Sequence, residues 1–442
     1  MTLTSLVAYF NDILATPTTF LFIGTAVFLT VKTRFLQLRG FSRFVYLISG
    51  HMRATKDDPH HISPVKAMFT ALATTIGMGN VVSPTLAIIA GGPGALFWLV
   101  IYMVLGSATK FTEVIFAINT RETTKEGFIL GGPIQYLNKV NPKLAKWYGY
   151  IMVILFAGWC SLQANTLGKI WEKQLFSIPP FVTGILLSST LLVVLFGGAK
   201  RVSNFASRLV PIMFVMYVSF SFYILFSDLT ALQLAVKTVF RHIFSPAAAV
   251  GGFLGATIFE AVRWGTFRGV YITEAGVGTA SIPHSLTSAK NPVDQGILSM
   301  FSVFAEIFLC ILSGLIVLVT GVWTAIIPGE WSNTLVYDAF KVYAPSFGSW
   351  ILLISITMFV LTTVIGNAFN GSQSFASMWG RRHLKKYYYF VALLTFLGTV
   401  SEVKFAWDLM DIMLALVAIP NLIGVIYLAC KYPDLLKYKK QS

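Results

Sequence analysis

Apolar stretches long enough to cross a membrane recur along almost the whole chain, and they restrict the possible folds more than any other feature. A helix needs about 20 mainly apolar residues to cross the hydrocarbon core of a bilayer. Inside lipid the backbone must satisfy its own hydrogen bonds, and runs of this length do so as helices. The sequence therefore predicts an all-α polytopic membrane protein with about 11 transmembrane helices, near residues 15–31, 67–90, 95–118, 148–168, 180–197, 209–227, 246–262, 295–322, 349–370, 387–402 and 405–429.

Charged residues make up 12% of the 442 positions, about half the share found in soluble domains. An attached soluble domain is therefore not expected. The net charge is +15, but the basic residues lie between the apolar runs and not on one soluble face. They indicate membrane topology and contact with lipid, and nucleic acid is not an expected partner.

The distribution of Lys and Arg predicts the orientation of the chain. If residues 32–66 are cytoplasmic, the loops on that side hold 26 of the 33 basic residues, the opposite loops hold six, and Lys110 falls inside a span. Cytoplasmic loops carry such an excess. We therefore expect a multi-pass protein of the cytoplasmic (inner) membrane with its N-terminus outside and its C-terminus inside.

Three features of the sequence argue against a secretory signal peptide, a cysteine-based site and an enzyme. Residues 1–17 lack the basic start and cleavage site of a secretory signal, so we expect a retained interfacial segment. The cysteines Cys160, Cys310 and Cys430 lie far apart in apolar runs, which is typical of small buried hydrophobic residues. No catalytic motif is found in a suitable setting, so neither an enzyme nor a cofactor is expected.

Glycine and proline interrupt two of the predicted spans. Gly77, Gly79 and Pro84 fall near the middle of the first core span, and a glycine cluster that includes Gly251, Gly252 and Gly255 falls in the stretch 246–262. Interrupted spans in corresponding positions of two halves indicate a transporter site built on half-helices. Glycines that simply allow close helix packing are the alternative.

Several motifs in order resemble the alanine/glycine:cation symporter family. They are GMGN, AIIAGGPGALFW and GSATKFTEVIFAINTR between Thr70 and Arg121, then QAN, GGAKRVSNFASRLVPIM, GGFLGATIFEAVRWGTFRGVYITEAGVGT and NPVDQG. The resemblance implies the leucine-transporter fold, with one extra N-terminal helix and two inverted five-helix repeats. On this basis residues 1–66 form the interfacial segment, extra helix and basic loop, 67–228 and 229–430 form the repeats, and 431–442 form a cytoplasmic tail.

The resemblance also implies a substrate site at the first broken helix. TTIGMGN is similar to the unwound first helix of neurotransmitter-type sodium symporters, whose backbone N–H groups receive a carboxylate. The substrate-binding set implied in this way is Gly77, Met78, Gly79, Asn80, Gln163, Gly255 and Asn367.

A cation-binding set follows from the same likeness. The carbonyl of Thr75 is placed beside the substrate or one cation, and the carbonyls of Ala73 and Ile76 face the hydroxyls of Thr362 and Thr363 at a second cation site. Such oxygen donors suit Na⁺ as coupling ion, with H⁺ as the alternative. Ordinary hydrogen bonds from the two threonines to the carbonyls four residues earlier are the other interpretation of these hydroxyls.

The remaining charged residues in or near the spans are expected to form ion pairs or hydrogen bonds, to bind a proton or to be solvated. Lys110 and Glu113 are three residues apart on one helix, which predicts a local ion pair. We expect Glu306 to make a structural hydrogen bond, and Glu260 to pair with Arg263 or bind a proton. Asp408 and Asp411 are expected to be solvated near the outer end of the last span.

Three positions depart from the family pattern and bear on the substrate. Asn367 and Asn370 stand in a stretch where the family carries aromatic residues, and Thr273 replaces an asparagine. An amide in place of an aromatic ring predicts a larger and more polar pocket. The first hypothesis is Na⁺-coupled symport of a small neutral amino acid, alanine or glycine by default. A proton-coupled transporter of another or more polar amino acid, and a transporter-like solute sensor, remain alternatives. The sequence leaves the oligomeric state undetermined.

Overall fold

The computed structural model describes residues 3–51, 62–174, 177–244, 258–325, 335–343, 347–401 and 403–438, and these residues form a helical bundle. A short antiparallel hairpin, β1 (Glu122–Thr123) and β2 (Ile129–Leu130), is the β-structure among them. The helices are α1 (Leu3–Lys32), α2 (Leu36–Arg39), α3 (Phe41–Tyr46), α4 (Pro64–Thr75), α5 (Met78–Gly91), α6 (Ala95–Thr120), α7 (Pro133–Asn138), α8 (Pro142–Gln174), α9 (Pro180–Leu195), α10 (Gly198–Ser227), α11 (Leu229–Arg241), α12 (Ile258–Thr273), α13 (Ser281–Ser285), α14 (Pro292–Thr320), α15 (Leu335–Tyr343), α16 (Phe347–Trp379), α17 (Leu384–Thr399) and α18 (Val403–Lys431).

The long apolar helices agree with the polytopic fold that the sequence predicts. Within the described residues seven helices, α1, α6, α8, α10, α14, α16 and α18, are long and apolar enough to cross a membrane. The pair α4 and α5 counts as an eighth span, bent by 44° at its break. Helices α9, α12 and α17 have 16 residues each and pack among the long ones. The figure of eleven spans stays a prediction.

The predicted span 246–262 differs from the helix observed in that part of the chain. Residues 245–257, which include Gly251, Gly252 and Gly255, lie outside the described residues. The described helix α12 begins at Ile258 and ends at Thr273. Arg263 and Arg268, which the sequence places in a basic loop, therefore lie within a helix.

Glycine allows α12 to approach α6 closely. A Cβ atom added at Gly265 would lie 2.7 Å from both the carbonyl oxygen of Ala95 and the backbone nitrogen of Leu99. Glycine also allows a close approach between α17 and α8, since a Cβ atom added at Gly398 would lie 2.5 Å from the Ser161 Cα. Small residues at helix crossings are typical of membrane proteins, since they bring backbones into van der Waals contact.

Polar contacts fasten one end of the bundle, which we call the basic end. Arg43 forms two hydrogen bonds with Asp294, at 2.9 and 2.8 Å, and the bond raises the pKa of the guanidinium above its ordinary value. Arg121, at the end of α6, donates to the carbonyls of Ser285 and Thr287 at 3.1 and 2.7 Å. These contacts tie the loops at this end to the helices.

We expect Gly265→Ala to destabilise the protein, because the added methyl group overlaps backbone atoms that cannot move aside. Overpacking of this kind costs about 1–3 kcal/mol. Gly24→Ala is the matched control, since a Cβ at Gly24 meets nothing within 4 Å. Thermal unfolding of the purified variants in detergent measures the difference. Equal melting temperatures for both variants would contradict the close approach of α12 to α6.

Candidate functional site

The helical backbone is interrupted between α4 and α5. Ile76 is extended, with φ −82° and ψ 98°, and Gly77 follows with φ −157° and ψ −158°. The side chain of Asn80 closes the break, because its Oδ1 accepts a hydrogen bond from the Gly77 N–H at 3.0 Å. The first N–H groups of α5, those of Met78 and Gly79, have no partner inside their own helix and carry the positive end of the helix dipole.

A cavity opens beside this break. Its lining comes from α4, α5, α8, α12, α16 and α18 and from the residue that follows α12. Three aromatic rings cover part of it, with Tyr271 centred 6.2 Å from Trp159 and 5.5 Å from Trp407. The lining residues are Thr74, Thr75, Gly77, Gly79, Ser83, Trp159, Leu162, Gln163, Tyr271, Glu274, Thr363, Asn367 and Trp407.

Hydrogen-bonding side chains face the cavity from three different helices. Ser83, Gln163 and Asn367 each have an oxygen atom with no hydrogen-bond partner within the described residues. Each stands four residues after another lining residue, namely Gly79, Trp159 and Thr363, and residues at this spacing share one helix face. Buried polar groups are normally hydrogen-bonded, so this cavity offers unmet hydrogen-bonding capacity to a ligand.

The two neighbouring threonines of α16 point in different directions, Thr363 toward the broken helix and Thr362 toward α10. Thr363 Oγ1 lies 3.4 Å from the Ile76 carbonyl oxygen, and it also lies 2.8 Å from the Phe359 carbonyl oxygen. Thr362 Oγ1 lies 2.9 Å from the same Phe359 oxygen and 3.5 Å from the sulfur of Met213 on α10. Hydrogen bonding to the helix's own carbonyls, given above as the alternative interpretation, is thus present at both residues.

Gly366 brings α16 against the end of α4. A Cβ atom there would lie 3.2 Å from the Thr74 nitrogen and 3.3 Å from the Ala73 carbonyl carbon. The end of α4 and the segment of α16 that carries Thr363 therefore lie against each other, with the Thr363 hydroxyl 3.4 Å from the Ile76 carbonyl oxygen.

A buried ion pair holds the end of α4 against two other helices. The Thr75 hydroxyl donates to Glu306 Oε1 at 2.5 Å, and Lys110 Nζ donates to the same oxygen at 3.1 Å. Lys110 and Glu306 are both fully buried. The predicted pair of Lys110 with Glu113 is therefore wrong, because Lys110 reaches across to α14. The hydrogen-bonded role expected for Glu306 is confirmed.

Glu113 instead joins α6 to α18 and to the loop after α12. Its Oε1 accepts hydrogen bonds from Asn421 Nδ2 at 2.7 Å and from the Gly276 N–H at 3.1 Å. Tyr136 completes the group by donating to Asn421 Oδ1 at 2.5 Å.

The expected solvation of Asp408 and Asp411 is wrong. Asp408 is 6% exposed and Asp411 is 2% exposed. Arg268, fully buried, lies 3.6 Å from the Asp411 carboxylate. Its guanidinium also stacks at 4.9–5.3 Å over the rings of three aromatic residues, Trp264, Tyr271 and Trp407. The suggested pair Glu260 and Arg263 is present at 3.5 Å.

The structure brings part of the predicted site together at the cavity. Gly77, Gly79, Gln163, Asn367, Thr75 and Thr363 line it. Met78, Asn80, Ala73, Ile76 and Thr362 lie at or beside the break without lining the cavity, and Gly255 lies outside the described residues.

Sequence reasoning did not single out several lining residues. Trp159, Tyr271 and Trp407 lack a local signal, because aromatic residues are frequent throughout the chain. Glu274 does have a local signal in the sequence, because it is an isolated carboxylate between an apolar stretch and the residues Ala275–Gly278.

A broken transmembrane helix that opens on a buried polar cavity is typical of membrane transporters, and a solved structure to which this chain is similar is a transporter of the leucine-transporter fold. The model of the sodium:alanine symporter family matches residues 1–442, and the chain belongs to this family. The family consists of symporters and not of enzymes.

Individual relatives agree with this assignment. The chain is 32% identical over 434 residues to an uncharacterised transporter of Haemophilus influenzae, covering 96% of this chain and 94% of that one. It is 30% identical over 422 residues to the sodium/alanine symporter AgcS of Methanococcus maripaludis, covering 92% and 91%. Among solved structures, MhsT in complex with L-phenylalanine is similar in fold, with a TM-score of 0.63, 13% identity and coverage of 84% and 89%.

Two glycines at the break predict two different defects. A Cβ atom added at Gly77 would overlap the Thr363 side chain. A Cβ atom added at Gly79 would lie in open space, and its nearest neighbour would be the backbone carbonyl oxygen of Tyr271 at 4.0 Å. We therefore expect Gly77→Ala to lower thermal stability and Gly79→Ala to fold normally but bind amino acids about tenfold more weakly. Melting curves and binding isotherms separate the two effects. An unchanged melting temperature of Gly77→Ala would show that α16 does not press on the break.

Proposed function

We propose that this protein is a secondary transporter that carries a small neutral amino acid into the cell together with Na⁺. The observation that supports the proposal is the break between α4 and α5, which turns free backbone groups toward the cavity. The relatives of the family include a sodium/alanine symporter, and alanine and glycine are accordingly the first substrates to test.

The start of α5 is suited to the carboxylate of such a substrate. The first N–H groups of a helix point along its axis and attract anions. Gly79 stands in this turn and at the cavity, and a side chain there would take up space that a ligand needs. A charge-assisted hydrogen bond to a carboxylate contributes about 1.5–3 kcal/mol, so two of them contribute about 3–6 kcal/mol to the binding of the substrate.

The junction of α4 and α16 is suited to the cation. The Thr363 hydroxyl has one proton and two lone pairs. When its proton is directed at the Phe359 carbonyl, its lone pairs are left for a cation beside the Ile76 carbonyl, 3.4 Å away. The Ala73 carbonyl is the third proposed ligand. A site made only of carbonyl and hydroxyl oxygens takes a hard cation such as Na⁺. Thr362 contributes from the neighbouring position on α16.

A more polar substrate is the second candidate, and the unpartnered oxygens of Ser83, Gln163 and Asn367 favour it. A hydroxyl or carboxamide on the substrate would satisfy them, whereas the methyl group of alanine would not. Proton coupling through Glu306 is less favoured, because Lys110 and Thr75 already neutralise and hold that carboxylate. A solute sensor without transport has no supporting observation here.

The orientation proposed from the basic residues makes the basic end cytoplasmic. Arg43, Arg121 and Arg381 make their contacts at this end of the helices, and the sequence assigns 26 of the 33 basic residues to this side. The N-terminus would then be outside and the C-terminus inside, in the cytoplasmic membrane.

Uptake by proteoliposomes tests the proposed function. The purified protein is expected to accumulate at least one amino acid from a labelled panel of glycine, alanine, serine, threonine and glutamine when a Na⁺ gradient points inward. Dissipating the gradient with an ionophore is expected to abolish accumulation. Uptake of serine or glutamine in preference to alanine would support the polar substrate, and uptake that follows pH and ignores Na⁺ would overturn sodium coupling.

Thr363→Val removes one proposed cation ligand and keeps the volume of the side chain. We expect the Na⁺ concentration for half-maximal uptake to rise about tenfold or more, with amino-acid affinity at saturating Na⁺ nearly unchanged, since a lost ligand costs about 1–3 kcal/mol. Thr395→Val is the matched control, because that buried threonine also donates to its own helix, at 2.7 Å, but lies on α17 away from the cavity. An unchanged Na⁺ requirement in Thr363→Val would show that the cation binds elsewhere.

A further inference from the structure

Glu274 carries the sole formal charge among the described residues that line the cavity. It is 2% exposed, and it comes directly after the last residue of α12. The rest of the lining consists of glycine, hydroxyl, amide, aromatic and aliphatic side chains. A ligand in this cavity therefore meets one buried carboxylate in an otherwise neutral surrounding.

The position of this carboxylate is fixed by its own segment. Glu274 has φ 56°, a left-handed conformation that is rare for a residue with a side chain. Its N–H donates to the Val270 carbonyl at 2.8 Å, and its carboxylate accepts a hydrogen bond from the Thr279 hydroxyl. The Thr74 hydroxyl neighbours the carboxylate as well. A backbone held in an uncommon conformation beside a cavity is typical of a functional position.

The buried ammonium group nearby is engaged with another carboxylate. Lys110 is bonded to Glu306, and no Lys, Arg or His of the described residues lies within salt-bridge distance of Glu274. An ionised carboxylate in a low-dielectric interior is costly without a counter-charge. The Thr279 hydroxyl stabilises it in part and leaves a cationic group to be supplied by a ligand.

We infer that Glu274 binds the ammonium group of the substrate amino acid. The inference rests on the proposed function and specifies the polarity of the site. The positive end of α5 lies at Gly79 for the carboxylate, and the negative end of α4 lies at Thr74 and Thr75, beside Glu274, for the ammonium group. The two poles of the cavity then match the two charges of a zwitterion.

The same carboxylate could in principle attract a free cation, and the arrangement of ligands separates the two cases. The hydroxyl of Thr363 and the carbonyl of Ile76, 3.4 Å apart, are the oxygens proposed above for a small cation. Glu274 instead lines the cavity together with aromatic and amide side chains, which suit an organic ligand. Binding of the ammonium group is therefore the role that this position favours.

Binding measurements on Glu274→Gln test the inference. The probes are L-alanine and L-serine, each compared with the analogue that lacks the amino group, propionate and 3-hydroxypropionate. We expect Glu274→Gln to bind both amino acids at least tenfold more weakly than the wild type and to bind the two analogues no more weakly. Glu274→Asp is expected to give a smaller loss for the amino acids, and it provides a second test if the glutamine variant does not fold. Glu122→Gln, an exposed carboxylate on β1, is the matched control.

Two results would overturn the inference and leave the proposed function standing. One is an equal loss of affinity for the amino acids and their analogues. The other is unchanged discrimination, accompanied by a shift of the Na⁺ requirement or of the pH profile between pH 5.5 and 8.5, which would make Glu274 a ligand of Na⁺ or of a proton. Failure of the wild-type protein to bind or transport any amino acid of the panel would reject the proposed function, and the inference with it.

Discussion

The break between α4 and α5 imposes a requirement that much of the surrounding structure meets. Backbone groups that leave a helix inside a membrane must find other partners, because each unsatisfied group costs several kcal/mol. Asn80 supplies one by accepting the Gly77 N–H. The Ile76 carbonyl has the Thr363 hydroxyl 3.4 Å away, but that hydroxyl is closer to the Phe359 carbonyl, at 2.8 Å. The backbone groups that remain without a partner face the cavity. The interruption that costs stability therefore also creates a site where a ligand can satisfy these groups.

The ends of the broken helix are positioned by contacts with its neighbours. Thr75 is anchored to Glu306 on α14, which is anchored in turn to Lys110 on α6. Gly366 lets α16 lie against the other face of the break. A buried ion pair contributes little net stability when its desolvation is counted, but removing one partner is strongly destabilising. We interpret this pair as fixing the position of α4 rather than as a source of stability.

Local patterns predicted the features that depend on nearby residues. The helical membrane fold follows from apolar length, which each span displays by itself. The break at Gly77 follows from glycine and proline in the middle of such a span, and the approach of Thr363 followed from the family resemblance. Both are found where the sequence places them.

Features that depend on distant residues could not be derived in the same way. Glu306 lies 196 positions after Lys110, and nothing in either segment indicates the pairing, so the nearer Glu113 looked like the better partner. Arg268 was assigned to a loop because hydropathy counts its charge and not the rings of Trp264 and Trp407 that cover it. Because of that error the predicted span ended before most of α12. Tyr271 and Glu274 were therefore not expected at the site.

The separation of Lys110 and Glu306 along the sequence also has a consequence while the chain is being synthesised. At elongation rates of about 5–20 residues per second, the 196 intervening positions take roughly 10–40 s to translate. During that interval the carboxylate that neutralises Lys110 in the finished protein does not yet exist. An uncompensated lysine at a helix centre costs about 2.5–3.5 kcal/mol on insertion scales. Glu113 lies one turn along the same helix, and Asn421, its partner in the finished protein, is synthesised 308 residues after it.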